Sequence, residues 1–146
     1  MKRKFILPVI CALILGYLCA NYVLALYLED SSSDNNTYFL QIAAYKNKES
    51  INDLEEIENK IVLEEDDKYY VYIGITNDIK IAKNIIKMYK DKNINLYIKE
   101  KNIDNTAFKL ALEQYDVLLK NAHNIDEVSA ILKTVLATYE EEVLKR

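Results

Sequence analysis

The chain has 146 residues, 19 basic and 23 acidic side chains and two cysteines, enough for one modest domain with appendages. Lys2, Arg3 and Lys4 are the only charges before Glu29, so residues 29 to 146 hold 23 acidic against 16 basic groups, an excess that argues against a phosphate backbone as partner. Cys11 and Cys19 both fall in the apolar N-terminal run, which leaves no disulfide framework and no cysteine-based metal site in the rest of the chain.

Phe5 to Leu28 is uncharged over 24 residues behind the Lys-Arg-Lys cluster. As a helix it would cross a hydrocarbon core of about 30 Å. The basic tip then orients the N-terminus to the cytoplasm and everything after Leu28 to the outside. A cleaved signal peptide, cut after Ala25, is the competing expectation, although signal cores run only about 7 to 15 residues. Glu29 to Thr37, with Ser31 to Ser33 and Asn35-Asn36, reads as a polar linker that reaches about 30 Å when stretched.

Tyr38 to Tyr45 is expected to be a central strand, with Leu40, Ile42 and Ala44 on one face and Phe39, Gln41, Ala43 and Tyr45 on the other. Asn47 then caps a helix on which Ile51, Leu54, Ile57 and Ile61 recur at helical spacing; Ile61 to Leu63 can equally begin a short strand, which ends the helix near Asn59 or Lys60. Glu64 to Asp67 reads as a solvated hairpin turn, since it lacks the spacing and central glycine of a calcium loop. Tyr69 to Thr76 repeats the first strand, with Val71, Ile73 and Ile75 alternating against Tyr70, Tyr72, Gly74 and Thr76. A helix follows, capped by Asn77 or Asp78, with Ile79, Ala82, Ile85, Ile86 and Tyr89 on its apolar stripe. Ile94 to Lys99 alternates again and places Tyr97 opposite Ile94, Leu96 and Ile98.

The order strand, helix, strand, strand, helix, strand predicts an α+β fold: a four-stranded antiparallel sheet with two helices on one face and the first and third strands central. From Ile103 the pattern is helical. One helix, capped by Asn105 or Thr106, carries Phe108, Ala111, Leu112, Tyr115, Leu118, Leu119 and Ala122, and a second, signalled by Asn124 and Glu127, carries Val128, Ile131, Leu132, Val135, Leu136 and Tyr139. The domain organisation read from the sequence is thus residues 1–28 basic tip and transmembrane helix, 29–37 linker, 38–102 sheet domain, and 103–146 helical hairpin.

Tyr38-Phe39-Leu40-Gln41-Ile42-Ala43-Ala44-Tyr45, a following helix, and Tyr70-Val71-Tyr72-Ile73-Gly74 together resemble a sporulation-related repeat (SPOR) domain over about residues 38 to 102. Ala43 stands where that family usually has Gly, Tyr45 where it has Phe, and Ile75 where it often has Pro. Similar proteins are membrane-anchored, face outward and bind peptidoglycan glycan strands at division or sporulation septa. The resemblance therefore implies a single-pass membrane protein with an extracytoplasmic glycan-binding domain, in which Gln41 and its sheet face touch sugar.

By the alternation, Phe39, Gln41 and Tyr45 with Tyr70, Tyr72 and Tyr97 pave one sheet face with rings and one amide. Rings offer flat apolar surfaces for sugar C–H faces, and phenol and amide groups hydrogen-bond hydroxyls. The opposing expectation is that the C-terminal hairpin folds over this face and buries it. A degenerate SPOR-like fold acting as a protein-interaction module near the membrane, without glycan, is the alternative function. Base stacking on ring-bearing strands is a third use of such a sheet, and the net charge disfavours it. Neither a catalytic constellation nor a cofactor motif stands out: His123 is the single histidine and sits at a helix junction, and Gly16 and Gly74 build no phosphate loop. The expected partners are thus glycan strands or a membrane-associated protein of the wall machinery, with the bilayer held by the N-terminal helix and no nucleic acid.

Overall fold

The computed structural model of the chain describes residues 36–145 together with Gly16, Tyr17, Cys19 and Ala20. The chain divides into two units, Met1–Asp34 and Asn35–Arg146. In the first, the four described residues are helical and exposed. The rest of the expected membrane span, the linker up to Asn35 and the cleavage position after Ala25 lie outside the described residues. Among the described residues no helix is long and apolar enough to cross a membrane.

The second unit is α+β. Its strands are β1 (Asn36–Tyr45), β2 (Ile61–Glu65), β3 (Lys68–Thr76) and β4 (Tyr97–Asn102), and its helices are α1 (Ile79–Lys90), α2 (Thr106–Asn121) and α3 (Ile125–Tyr139). The sheet is antiparallel in the order β2-β3-β1-β4, with the first and third strands central as the split βαβ order requires. Asp66 and Asp67 take positive φ of 50° and 60° between Glu65 and Lys68, so the acidic run is a tight two-residue hairpin turn. β4 starts at Tyr97, three residues later than the alternation from Ile94 suggested.

Helix starts follow their side-chain caps. Asp78 accepts from the Lys80 amide, Asn105 from the Phe108 amide, and Asn124 from the Glu127 amide while the Glu127 carboxylate returns to the amide of His123. The expected first helix fails. Lys48–Leu54 forms only a 3-10 turn with no buried residue, and Asn47 makes no side-chain cap bond. Its sequence is crowded with Asn, Asp and Ser, which compete for backbone hydrogen bonds. The sheet face it was to cover is packed instead by α1 and by the C-terminal hairpin: Leu40 and Ile73 meet Ile81, Ala82 and Ile85, together with Leu119 of α2 and Val128 and Leu132 of α3.

The hairpin is therefore part of the fold. A second core gathers Phe39, Ile61, Tyr72, Ile75 and Ile103 from the sheet side with Phe108, Leu112, Val135, Leu136 and Tyr139 from α2 and α3. β2 pairs only as far as Ile61 opposite Tyr72, which leaves residues 73–76 of β3 without a strand on that side. Helix α3 packs there, giving Val128 and Leu132 to one core and Val135, Leu136 and Tyr139 to the other. Gly74 permits the close approach: a Cβ on it would lie 2.8 Å from a Leu132 methyl.

Two irregularities change which side chains share a face. β1 and β3 pair Leu40 with Gly74 but Gln41 with Tyr72, and then Ala43 with Val71, so Ile73 and Ile42 are each extra residues in the ladder. Opposed residues share a face, so Ile75, opposite Phe39, leaves the side of Ile73 that strict alternation assigned it.

Candidate functional site

The face expected to bear rings carries Phe39 and Gln41 from β1, Tyr70 and Tyr72 from β3, and Tyr97, Lys99 and Lys101 from β4, where Gln41 stands opposite Tyr97 and Phe39 opposite Lys99. Tyr45 is not on it. The extra residue at Ile42 reverses the phase, so Ala44 stands opposite Tyr70 and Tyr45 opposite Tyr69, on the other side.

Two of the six expected contact residues are sealed. Phe39 and Tyr72 both have 0% of their surface exposed. The Phe39 ring meets Tyr72 edge-on at 5.2 Å and Tyr139 at 5.5 Å, and Phe108 meets Tyr139 at 5.2 Å. These are the edge-to-face separations of a packed aromatic core. The expectation of an open ring surface is thus corrected at Phe39 and Tyr72. The physical reason is that α2 and α3 have broad apolar faces, and these strands offer the rings that cover them.

The remaining part of the face is crossed by charge. Glu65 pairs with Lys99 at 2.9 Å and with Lys101. The Lys99 ammonium lies 3.7 Å from the centroid of the Tyr70 ring, and that of Lys101 lies 4.8 Å and 5.0 Å from those of Tyr72 and Phe39. Ammonium groups at these separations are attracted by the ring faces. Partial burial works to raise the Glu65 carboxyl pKa, but hydrogen bonds from Lys101 and Lys99 outweigh it and hold it below the usual range. For Lys99, burial opposes the charge and Glu65 more than restores it, leaving its pKa raised. The buried Tyr72 hydroxyl has its pKa pushed up to about 12, by burial first and by the nearby Glu65 charge, while Lys99, through its charge and its contact with the hydroxyl, acts against both.

What stays reachable is smaller. Tyr97 is 63% exposed, Gln41 opposite it is half-buried, and Tyr70, stacked on Tyr72 at 6.4 Å, is half-buried beneath Lys99. That remnant can offer one flat ring and one amide to a ligand. It holds no nucleophile–base pair, and among the described residues no group of His, Cys, Asp and Glu is placed to hold a metal ion.

Sequence reasoning missed the Glu65, Lys99 and Lys101 cluster. The available signal was the alternation Tyr97, Lys99, Lys101, which places two cations on the ring-bearing side.

No family model matches the chain, and neither does any curated protein. Among solved structures, the solution structure of the peptidoglycan binding domain of the B. subtilis cell wall lytic enzyme CwlC is similar, with a TM-score of 0.41 and 23% identity; the match covers 49% of this chain and 98% of that domain.

Proposed function

We propose that this chain is a non-catalytic binding module of the cell envelope, with a SPOR-like sheet whose ring-bearing face has become core, and that it works through contact with a protein. One observation carries this reading: Phe39 and Tyr72 have no exposed surface beneath α2 and α3. A sugar can stack on a ring only where the ring face is open, and uncovering these two would mean displacing the Glu65–Lys101 pair that lies over them and a helical hairpin that contributes to both cores. The uncharged stretch from Phe5 to Leu28 behind Lys2, Arg3 and Lys4 supports a single-pass anchor with residues after Leu28 outside. By the family resemblance the place of action is a division or sporulation septum. The test is co-sedimentation of the full chain with peptide-stripped glycan strands, and retention no greater than that of an inert control protein is expected.

A second reading keeps glycan as ligand, on the strength of Tyr97 standing 63% exposed across from half-buried Gln41. The similar solved domain is a peptidoglycan binding domain, which names the ligand to test. Retention of the full chain on glycan strands, lost on Tyr97→Ala, would replace the protein-contact reading with this one.

A further inference from the structure

On the opposite side of the sheet, the failure of the first helix leaves a space. The 3-10 turn ends at Leu54, and residues 56 to 59 pass over the sheet without laying a helical stripe on it. Beneath them is a half-open crevice of about 290 Å³. Its apolar lining is Ile42, Ile57, Ile73, Ile94 and Leu132, with Ile73 and Leu132 forming the buried part. At that volume it sits at the small end of ligand pockets, the size for one side chain rather than a cofactor.

Charge at the opening narrows the choice of occupant. Glu56 and Glu58 line the crevice and are solvent-exposed, so its outer rim is anionic. Neither enters an ion pair among the described residues. The nearest lysine in sequence, Lys60, is committed elsewhere: its ammonium donates to the backbone carbonyls of Leu54 at 3.1 Å and Ile57 at 2.8 Å. The remaining polar wall is turned on itself: the Asn59 amide donates to Ser129 Oγ at 3.4 Å, and Ser129 also acts on the Tyr89 hydroxyl, whose pKa burial raises and Ser129 works less strongly to lower. The space therefore has apolar depth, internally paired polar walls and two unpaired carboxylates at its mouth. A side chain that buries methylenes and keeps a cation at the surface matches all three features.

We propose that this crevice receives a lysine side chain of a protein partner, its stem against Ile42, Ile73 and Leu132 and its ammonium between Glu56 and Glu58. The proposal rests on the protein-contact reading and gives that contact a location and a chemistry. The occupant is a basic peptide segment.

The test is isoleucine-methyl NMR of the full chain in lipid nanodiscs, titrated with the blocked tripeptide Gly-Lys-Gly and, separately, with its norleucine counterpart, which has the stem and lacks the charge. The expected result is saturable shifts of the Ile42, Ile73 and Ile94 methyls with the lysine peptide. Binding should weaken about threefold to tenfold both with norleucine and in the chain carrying Glu56→Gln and Glu58→Gln, as for the loss of two exposed ion pairs. Both substitutions are at exposed positions, so the fold is retained. Absence of saturable shifts, equal binding of the two peptides, or indifference to the double substitution would each overturn the proposal. Glycan co-sedimentation reads the other sheet face, so its outcome and this one vary independently.

Discussion

Glu65 and Lys101 belong to the two opposite edge strands of the sheet, β2 and β4, and nonetheless form an ion pair over the rings of Phe39 and Tyr72. Two central strands lie between them, so the pair closes only because the sheet coils, bringing its edges toward each other above the central rings. The contact is a strap across the face that a binding sheet would leave open. Lys99 doubles it at 2.9 Å.

The strap is expected to have measurable coupling. A double-mutant cycle with Glu65→Gln and Lys101→Met should return about 1 kcal/mol of interaction, since the side chains are 34% and 17% exposed and solvent screens part of the attraction. The Glu65 pKa is lowered in the fold, so its contribution is present above the unfolded value of 4.5 and is lost as pH falls through the folded one. Urea unfolding at pH 7 and at low pH reads both effects, and a coupling that is unchanged on acidification would contradict the assignment.

Asp116 has the opposite pH dependence. It is buried on α2, accepts from Thr76 Oγ1 at 2.5 Å and from the Asn77 amide at 2.9 Å, and so joins the hairpin to the end of β3. Burial pushes its carboxyl pKa up to about 6 from 3.8, against the effect of both hydrogen bonds. A raised folded pKa means that the folded state holds the proton more tightly, so this group's stabilisation is complete below about pH 3.8 and is lost as pH rises through about 6. Relative to the native chain, Asp116→Asn should therefore gain on the order of 2–3 kcal/mol between pH 4 and pH 7. The difference in urea midpoint between the two chains, measured across that range, checks the sign.

Rings and hydroxyls on the sealed face separate cleanly. Phe39→Ala should cost about 3–5 kcal/mol, because it empties the centre of a core shared by sheet and hairpin. Tyr72→Phe removes a buried hydroxyl whose contact is with Lys99, a group already paired with Glu65, and the change should stay within about 1 kcal/mol of neutral. A large loss of thermal stability in Tyr72→Phe would mean that the contact with Lys99 holds the face together more strongly than the Glu65 pair does.

Gly74 reports on how closely α3 lies against β3. An added methyl would meet Leu132 at 2.8 Å and Leu40 at 3.1 Å, and Gly74→Ala should destabilise by about 1–3 kcal/mol. Leu132→Val in the same chain should recover part of that loss. Additive costs in the double variant would show that α3 does not press on this position.

Much of the architecture could be read along the chain. The alternation from Tyr38 to Tyr45 and from Tyr69 to Thr76 identified the central strands, and Asn77 or Asp78, Asn105 or Thr106, and Asn124 marked helix starts to within a residue, because alternation and capping depend on neighbours a few residues apart. Three things could not be read this way. The residues over 47 to 60 have a helical apolar spacing that their own propensity does not support, and α3 takes part of that place on the sheet. The extra residues at Ile42 and Ile73, which move Tyr45 and Ile75 between faces, depend on how two strands meet rather than on either strand alone. Above all, a stripe of rings has the same pattern whether it faces a ligand or the chain's own helices. Local sequence determined that Phe39, Tyr70 and Tyr72 would be held on a sheet, whereas the packing of residues more than thirty positions away decided that Phe39 and Tyr72 would be core, since burial is a property of what comes to lie on top.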